Sequence, residues 1–312
     1  MKQHTLHADR HHFHWDNQLP AALELEPGDE VELAIIDASD GQIRRDSSAA
    51  DLGRLDFSRV NPVSGPITVR GAEPGDALVV DILELELGEW GWTGIIPGFG
   101  LLASDFPDAF LLISRYDASG IEFLPGVRVP TRPFIGTIGV APAAPGQHSV
   151  IPPRRVGGNL DCRDMLRGTR AYFPVEVSGG KLSVGDTHAA QGDGEVCGTA
   201  IETALRVRLR VGLEKQRPLR YPQLEVPEVA PSGPAPCGSF VTLGIGPDLL
   251  VAARDAIREM IDHLMKEYGL SAEQSYCLCS VAVHLRLSEV VDAPNWVVSA
   301  YLPNWLFPRR KR

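Results

Sequence analysis

The sequence predicts a protein that is mainly β, with a smaller α/β part. Short stretches in which apolar and polar residues alternate recur along most of the chain, and turns rich in Gly, Pro, Asp and Asn separate them. One long helical pattern follows near the C-terminal end. Short strands of this kind usually form a β-sandwich or a barrel. We therefore expect a sandwich-like or barrel-like N-terminal and central region, with helices near the C-terminus.

The strand pattern begins at residues 30–37, where apolar side chains occupy every second position. Further strands are predicted at residues 66–70, 77–87, 111–114, 121–123 and 133–142. Gly136 and Gly139 interrupt the last of these. Glycine inside an apolar strand usually marks a bulge or a close backbone approach, so we expect one there.

The segment 88–110 is rich in Gly, Trp and Phe and too apolar for a disordered linker. We interpret it as a packed loop. A lid over a pocket is the alternative, because lids commonly combine glycine hinges with aromatic covers.

The clearest strand is predicted at residues 201–211. One face carries Ile, Thr, Leu and Val, and the other carries Glu202 and three arginines. Residues 213–237, rich in Pro and polar residues, are predicted to form a connection. We expect residues 1–212 to form a β-rich domain and residues 213–312 an α+β portion packed on it.

Two helices are predicted in the C-terminal portion. The first begins near Asp248 and ends before Gly269, which is a suitable residue for a helix stop. Ser271 and Gln274 have the spacing of a capping box, which predicts the start of the second helix. Strands are expected to return at residues 285–291 and 296–302.

Composition excludes several classes of partner. The 312 residues carry a formal charge of −10 with a pI near 5.4, which argues against nucleic acid and anionic membrane surfaces. The sequence contains neither an apolar leader nor a stretch long enough to span a membrane. Its number of cysteines, five, is odd. A cytoplasmic protein with reduced thiols is therefore expected, and the basic residues 309–312 are interpreted as a solvated tail.

Five of the nine histidines lie at the N-terminal end, at positions 4, 7, 11, 12 and 14. Such density can bind metal. In a terminal segment, solvated or packing residues are the better interpretation.

Polar side chains concentrate at residues 153–202, between stretches that are themselves predicted to be strands. The potential ligands are Asn159, Asp161, Asp186, His188, Gln191, Asp193 and Glu195. Asp186 and His188 are two residues apart, so on an extended segment both side chains lie on the same face. Asp161, after its own glycine-rich turn, can supply a third ligand.

This donor set is typical of a hydrolytic divalent metal site that keeps one position open. Zinc is the expected ion, with calcium as the alternative, held by Asp161, Asp186 and His188. Glu195 could act on a bound water as general base, which makes Glu195, Asp161 and His188 the candidate catalytic residues. Asn159, Gln191 and the backbone N–H of Gly158 could bind an amide and its oxyanion.

Two alternatives remain beside the metal site. In the first, Asp161 and Asp186 cap turns and His188 is a satisfied core residue. In the second, Cys162 or Cys197 is a nucleophile activated by His188. Cys162 directly follows Asp161 and would point to the opposite face, and Cys197 stands among small residues where buried thiols are common.

The sequence resembles the acetamidase/formamidase family. The resemblance rests on the stretches Gly-Gly-Asn-Leu-Asp at 157–161, Gly-Asp-Thr-His-Ala-Ala-Gln-Gly-Asp-Gly-Glu at 185–195 and Gly-Thr-Ala-Ile-Glu at 198–202. It extends through Gly-Ala-Glu-Pro-Gly-Asp at 71–76 and Ile-Gly-Thr-Ile-Gly-Val-Ala-Pro at 135–142, and so covers nearly the whole chain.

The resemblance implies hydrolysis of short aliphatic amides to an acid and ammonia, a β-rich fold, a homo-oligomer and a divalent metal. The acidic and histidine positions of the family correspond to Asp161, Asp186, His188 and Glu195. His284 departs from the pattern, because it stands where an acidic residue is expected. A non-catalytic, metal-stabilised binding or structural protein is the alternative function.

Overall fold

The computed structural model describes residues 1–117, 120–154, 156–219, 222–225, 239–289 and 296–307. Its strands are β1 (Gln3–Leu6), β2 (His11–His12), β3 (His14–Trp15), β4 (Leu23–Leu25), β5 (Asp29–Ile35), β6 (Val63–Val69), β7 (Ala77–Leu87), β8 (Trp90–Ile95), β9 (Phe110–Asp117), β10 (Gly120–Leu124), β11 (Val127–Val129), β12 (Phe134–Gly139), β13 (His148–Ser149), β14 (Gly157–Asn159), β15 (Arg170–Pro174), β16 (Leu182–His188), β17 (Leu205–Glu214), β18 (Gln223–Glu225), β19 (Ser239–Gly246), β20 (His284–Glu289) and β21 (Trp296–Pro303). The helices are α1 (Ala49–Leu52), α2 (Leu249–Tyr268) and α3 (Ala272–Ala282), with 3-10 turns at Phe57–Arg59 and Asn304–Leu306.

Two open sheets form a sandwich. One has the strand order β1-β5-β17-β7-β15-β18, and the other has β14-β12-β16-β6-β2 with β4 beside β6. Apolar side chains from both sheets, among them Leu33, Leu209, Ile138 and Val184, form one buried core. The prediction of a mainly β, sandwich-like region is confirmed, and no sheet within the described residues closes into a barrel.

The strand β17 lies at the centre of the first sheet because its two faces differ in polarity. Its apolar residues are buried, while Arg208 and Arg210 project outward and pair with Glu30 at 3.1 and 2.7 Å. Glu30 is buried, so the two arginines compensate its charge. The apolar face of β17 packs into the sandwich core and determines where the strand lies. The predicted alternation is confirmed from residue 205 onward.

A second core lies between the sheet β11-β10-β9-β8 and the two C-terminal helices. It includes Ile95, Ile121 and Val196 together with Ile257 of α2 and Leu278 of α3. The sheet β19-β21-β20 packs on the same helices. This shared core is consistent with a C-terminal portion packed on the β-rich part, and the proposed boundary at residue 212 stays a prediction.

Both predicted helices are confirmed with their caps. The Asp248 side chain accepts from the backbone N–H of Val251, and Gly269 ends α2 in the left-handed conformation at φ +70°. Ser271 and Gln274 form the expected capping box at the start of α3. The helix α2 does not combine the length and apolarity needed to cross a membrane, nor does any other helix in the described residues.

Two of the sequence interpretations need correction, and two others lie partly or wholly outside the described residues. The segment 88–110 contains the strand β8, and only its second part is a loop. The strand predicted from residue 201 begins at Leu205. The connection predicted at residues 213–237 lies partly outside the described residues, and the tail at residues 309–312 lies wholly outside them.

The N-terminal histidines that can be assigned a contact serve packing. The Nδ1–H of His12 donates to the carbonyl oxygen of His14 at 2.8 Å, and its Nε2 lies 2.9 Å from the Ser183 hydroxyl. Burial lowers the pKa of His12 to about 4, so the ring is neutral at neutral pH. His12 thus joins the N-terminal segment to the second sheet as an uncharged residue.

Candidate active site

A cavity of about 590 Å3 opens at one end of the sandwich, and we call it the first cavity. One part of its wall is apolar, with Leu55, Phe57, Trp92, Ile96 and Phe99. The opposite part is polar and carries Asn159, Asp161, Asp186, Gln191, Glu195 and Glu202. Residues predicted from the two sequence stretches 157–161 and 185–195 therefore meet in one place.

The end of β16 supplies Asp186 and His188. His188 is fully buried, and its Nε2 lies 3.1 Å from Oδ1 of Asp186. Thr137 also donates to Asp186, at 3.3 Å. The hydrogen-bond partners of Asp186 are therefore side chains of the site. The turn-capping alternative for Asp186 finds no support in these contacts.

Gly136 of β12 provides the space in which the site residues converge. A Cβ at this position would lie 2.7 Å from Asp161 Oδ1, 2.7 Å from the Asp186 carbonyl oxygen and 2.7 Å from His188 Cε1. Real Cβ contacts are essentially never that short. The expected close approach at Gly136 is confirmed, and only glycine allows these three groups to come together.

Glu202 belongs to the site, although the sequence pattern placed it on the charged outer face of a strand. It is 3% exposed, and its Oε2 lies 3.2 Å from Nε2 of His188. Single bridges join residue 202 to His188 and to Trp92, so the chain enters the site before β17 begins. The assignment of Glu202 to the outer face was wrong. Residues 201–204 precede β17, so the alternation of that strand does not determine where the Glu202 side chain points.

Three acidic site residues have left-handed backbone conformations. The φ angles are +45° at Asp161, +48° at Asp186 and +40° at Glu195. Non-glycine residues rarely adopt this conformation, and when they do it is mostly at functional sites. The fold therefore holds these carboxyl groups at backbone positions that favour glycine.

Burial and mutual repulsion set the protonation of the cluster. Burial, and then the charge of Asp186, raises the pKa of Asp161 to about 7. Burial and then Asp161 raise the pKa of Glu195 well above its usual range. Burial also raises the pKa of Glu202 to about 7, although the charge of His188 opposes this. A proton therefore remains among these carboxyl groups near neutral pH.

His188 and Asp186 form the charged pair of the cluster. Burial works against a charged His188, but Glu202 and Asp186 outweigh it and raise the pKa of His188 well above its usual range. Burial likewise opposes the charge on Asp186, yet His188 holds the pKa of Asp186 below its usual value. An imidazolium or another cation is thus favoured between Asp186 and Glu202.

The cluster carries an excess of acidic groups. Asp161, Asp186, Glu195 and Glu202 contribute four carboxyl groups, His188 is the one histidine among them, and no Lys or Arg occurs among the described residues that line the first cavity. Asp161 Oδ1 and His188 Nδ1 are buried without a hydrogen-bond partner within the described residues. Buried groups of this kind require a proton or a cation.

Two residue sets have metal-ligand geometry. The ligand atoms of Asp161, Asp186 and His188 lie within 4.8 Å of one another, and so do those of His188, Glu195 and Glu202. The first set matches the ligands predicted from the sequence. The residues present therefore fit a divalent ion.

Two amide side chains, Asn159 and Gln191, line the first cavity and differ in which of their atoms is already hydrogen-bonded. Asn159 accepts from Thr137 Oγ1 and, at 3.3 Å, from Asn61 Nδ2 through its Oδ1. Gln191 donates from Nε2 to the Asp161 carbonyl at 3.0 Å, and its buried Oε1 has no partner in the described part of the chain. Gly158 pairs with Ile138 between strands and is not among the described residues that line the cavity.

Cys162 and Cys197 lie outside the lining of the first cavity. Cys162 packs against the sandwich core, and burial raises the pKa of its thiol. Burial opposes ionisation of Cys197 too, but hydrogen bonds from Cys277, Ser280 and Thr199 lower its pKa to about 7. Neither thiol is among the described residues that line the first cavity, so neither is positioned to attack a bound substrate.

Comparisons with known proteins point to one family. A family model described as acetamidase/formamidase matches residues 1–149 and 143–309. A formamidase from Methylophilus methylotrophus is 32% identical over 95% of this chain and 89% of its own length. A gamma lactamase from Delftia acidovorans superposes with a TM-score of 0.91 at 30% identity, covering 98% of this chain and 94% of that one. An acetamidase from Bacillus halodurans superposes with a TM-score of 0.69 at 32% identity, covering 96% and 97%.

Proposed function

This chain belongs to the acetamidase/formamidase family and is an amidase, and we propose that it hydrolyses small amides in the first cavity with the help of a divalent metal ion. The observation that carries the proposal is the excess of buried carboxyl groups over basic groups at the polar wall. Such a cluster stabilises a cation, and a bound divalent cation can polarise the carbonyl group of a neutral amide. The non-catalytic alternative is not favoured.

Asp161, Asp186 and His188 would hold the ion, since their ligand atoms lie within 4.8 Å of one another. We propose zinc, with calcium as the alternative. When bound, zinc would polarise a carbonyl group and lower the pKa of a bound water to about 7. Glu202 would fix the ring of His188 through its contact at 3.2 Å.

Asn159 and Gln191 would orient the substrate. The Oδ1 of Asn159 is engaged by Thr137, so its N–H2 group is the donor for the carbonyl oxygen of the amide. The partnerless Oε1 of Gln191 is the acceptor for the N–H of the substrate. A good donor at a developing oxyanion contributes about 3–4 kcal/mol to catalysis.

Glu195 would move the proton. Its carboxylate takes a proton from water while the water oxygen forms a bond to the carbonyl carbon. The protonated Glu195 then donates to the amide nitrogen, the C–N bond breaks, and ammonia leaves. The position of Glu195 supports this role, because it lines the first cavity together with Asp161 and Gln191.

The first cavity is larger than formamide needs, and this favours a second candidate substrate. Its volume of about 590 Å3 and its wall of Leu55, Phe57 and Phe99 suit an amide with a sizeable apolar group. A γ-lactam meets that description, and the solved gamma lactamase superposes with a TM-score of 0.91. Ring opening would use the same Glu195 and Asn159.

A panel of formamide, acetamide, butyramide and a γ-lactam tests the function. We expect kcat/KM for ammonia release to rise by about tenfold or more for each methylene added from acetamide to butyramide, because one methylene in an apolar pocket contributes about 10–200-fold. The lactam is scored by the amine that ring opening creates, since it releases no ammonia. An enzyme inactive on every member would refute the proposed function.

Removal of the metal is the second test. A chelator is expected to reduce ammonia release by more than about 100-fold and to lower Tm, because the carboxyl groups then repel one another. Added zinc should restore both. His188→Gln should lose the metal by elemental analysis, whereas His148→Gln, which changes an outlying histidine bonded to the Ala144 carbonyl, should retain it. Full activity and unchanged Tm in metal-free protein would contradict the assignment.

A further inference from the structure

A second cavity adjoins the first one. Its volume is about 280 Å3, and Gln191 contributes to the walls of both cavities. Its apolar wall includes Val129 at the end of β11, Val281 of α3 and Trp305 near the C-terminal end of the described residues. None of the catalytic candidates Asp161, His188 and Glu195 is among its described lining residues.

The polar groups that face the second cavity are cationic or neutral. They are Arg132, Arg163, His284 and Gln191. Arg163 donates from Nη1 to Nε2 of His284 at 3.0 Å. The Nε–H groups of both arginines are buried and have no hydrogen-bond partner within the described residues. His284, the residue that departs from the family pattern, therefore lines this cavity and not the first one.

Two carboxylates neutralise the arginines only from outside the cavity. Asp164 pairs with Arg132 at 2.8 Å, and Asp193 lies 3.9 Å from Arg163. Both are more than a third exposed to solvent and are not among the described lining residues. No Asp or Glu is among the described residues that line the second cavity, so its wall offers the two guanidinium groups no carboxylate partner.

The size and polarity of the second cavity restrict its ligand. A volume of about 280 Å3 lies just below the range of about 300–1,000 Å3 that holds drug-sized molecules. Guanidinium N–H groups match the two oxygens of a carboxylate, and the apolar side chains match a short alkyl group. We propose that the second cavity binds a small aliphatic carboxylate, the acid product of amide hydrolysis, on Arg132 and Arg163.

This inference rests on the proposed function for the identity of the acid, and it adds a consequence for turnover. Because Gln191 orients the substrate from one side and contacts the second cavity from the other, an acid bound there disturbs the orientation of the bound amide, and so lowers kcat, without occupying the substrate site. The acid product should therefore inhibit without competing with the amide.

The test is direct binding of [1-13C]acetate, followed by NMR at constant ionic strength set with sodium chloride. Wild-type protein is compared with Arg163→Met and Arg132→Met. Arg70→Met, which removes an exposed arginine paired with Glu24 and Glu26, is the matched control for the loss of one positive charge. We expect Arg163→Met and Arg132→Met to bind acetate about tenfold more weakly and the control to bind as wild type does.

Equal acetate binding in wild type and in both cavity variants would overturn the proposal, and so would no acetate binding to wild type in the presence of chloride. If one arginine variant fails to fold, the other carries the comparison. Acetate should also be a noncompetitive inhibitor of wild type and a competitive one of Arg163→Met, and competitive inhibition in both would contradict the site. Binding requires no turnover, so its failure is distinguishable from a failure of amide hydrolysis.

Discussion

Replacement of Glu195 by glutamine is expected to lower kcat for ammonia release by about 100- to 10,000-fold. The side chain keeps its size but can no longer accept a proton from water or return one to the leaving nitrogen. The change also removes one carboxyl group from the repelling pair with Asp161, so we expect Tm to stay the same or to rise. The measurements are steady-state ammonia release and thermal unfolding.

The matched control is Glu84→Gln, the same change on the outer sheet face, where Glu84 pairs with Arg208. It should leave kcat unchanged. Ammonia release by Glu195→Gln at the wild-type rate, with the fold intact, would exclude Glu195 as the base and direct attention to Asp161 or Glu202.

Addition of a single methyl group at Gly136 is expected to disable the site. The Cβ of Gly136→Ala would lie 2.7 Å from Asp161 Oδ1, from the Asp186 carbonyl oxygen and from His188 Cε1. Displacements of that kind in a catalytic arrangement reduce kcat/KM by about 100-fold. The overpacking should also destabilise the protein by about 1–3 kcal/mol.

Gly212→Ala provides the comparison, because it is also a glycine in a strand and its Cβ would meet Val79 at an ordinary 3.6 Å. Its activity and unfolding free energy should remain near those of wild type. If Gly136→Ala were as active as Gly212→Ala, activity would not depend on the close approach of Asp161, Asp186 and His188 at Gly136.

Local patterns in the sequence were sufficient to predict much of the framework of strands and helices. The strand β7 has the predicted bounds, and α2 and α3 have the predicted caps, because alternation, helical spacing and capping act within a few residues. The strand β8 was missed because its glycines resemble loop residues. A Cβ at Gly91 would lie 2.5 Å from the Glu202 carbonyl oxygen, so the glycine permits strand contact.

The candidate site was predictable only where its residues cluster in sequence. Asp161, Asp186, His188 and Glu195 stand in two dense stretches. The fold brings the three acidic residues to one cavity and places His188 in contact with Asp186, buried beneath the cavity lining. Glu202 was missed because it shares an alternating pattern with three arginines, and nothing local distinguishes it from an outward residue. Its position in the Gly-Thr-Ala-Ile-Glu stretch was the available signal. Asn61 and Trp92 come from distant segments and could be placed only by the tertiary structure.

The left-handed backbone at Asp161, Asp186 and Glu195 has a consequence for protein engineering. A non-glycine residue in this conformation costs about 1–2 kcal/mol. A redesign guided by folding free energy alone would therefore favour glycine at all three positions, and it would yield a more thermostable chain without acid–base chemistry. Consensus or computational stabilisation of this enzyme must keep these residues fixed, because the fold would not select them by itself.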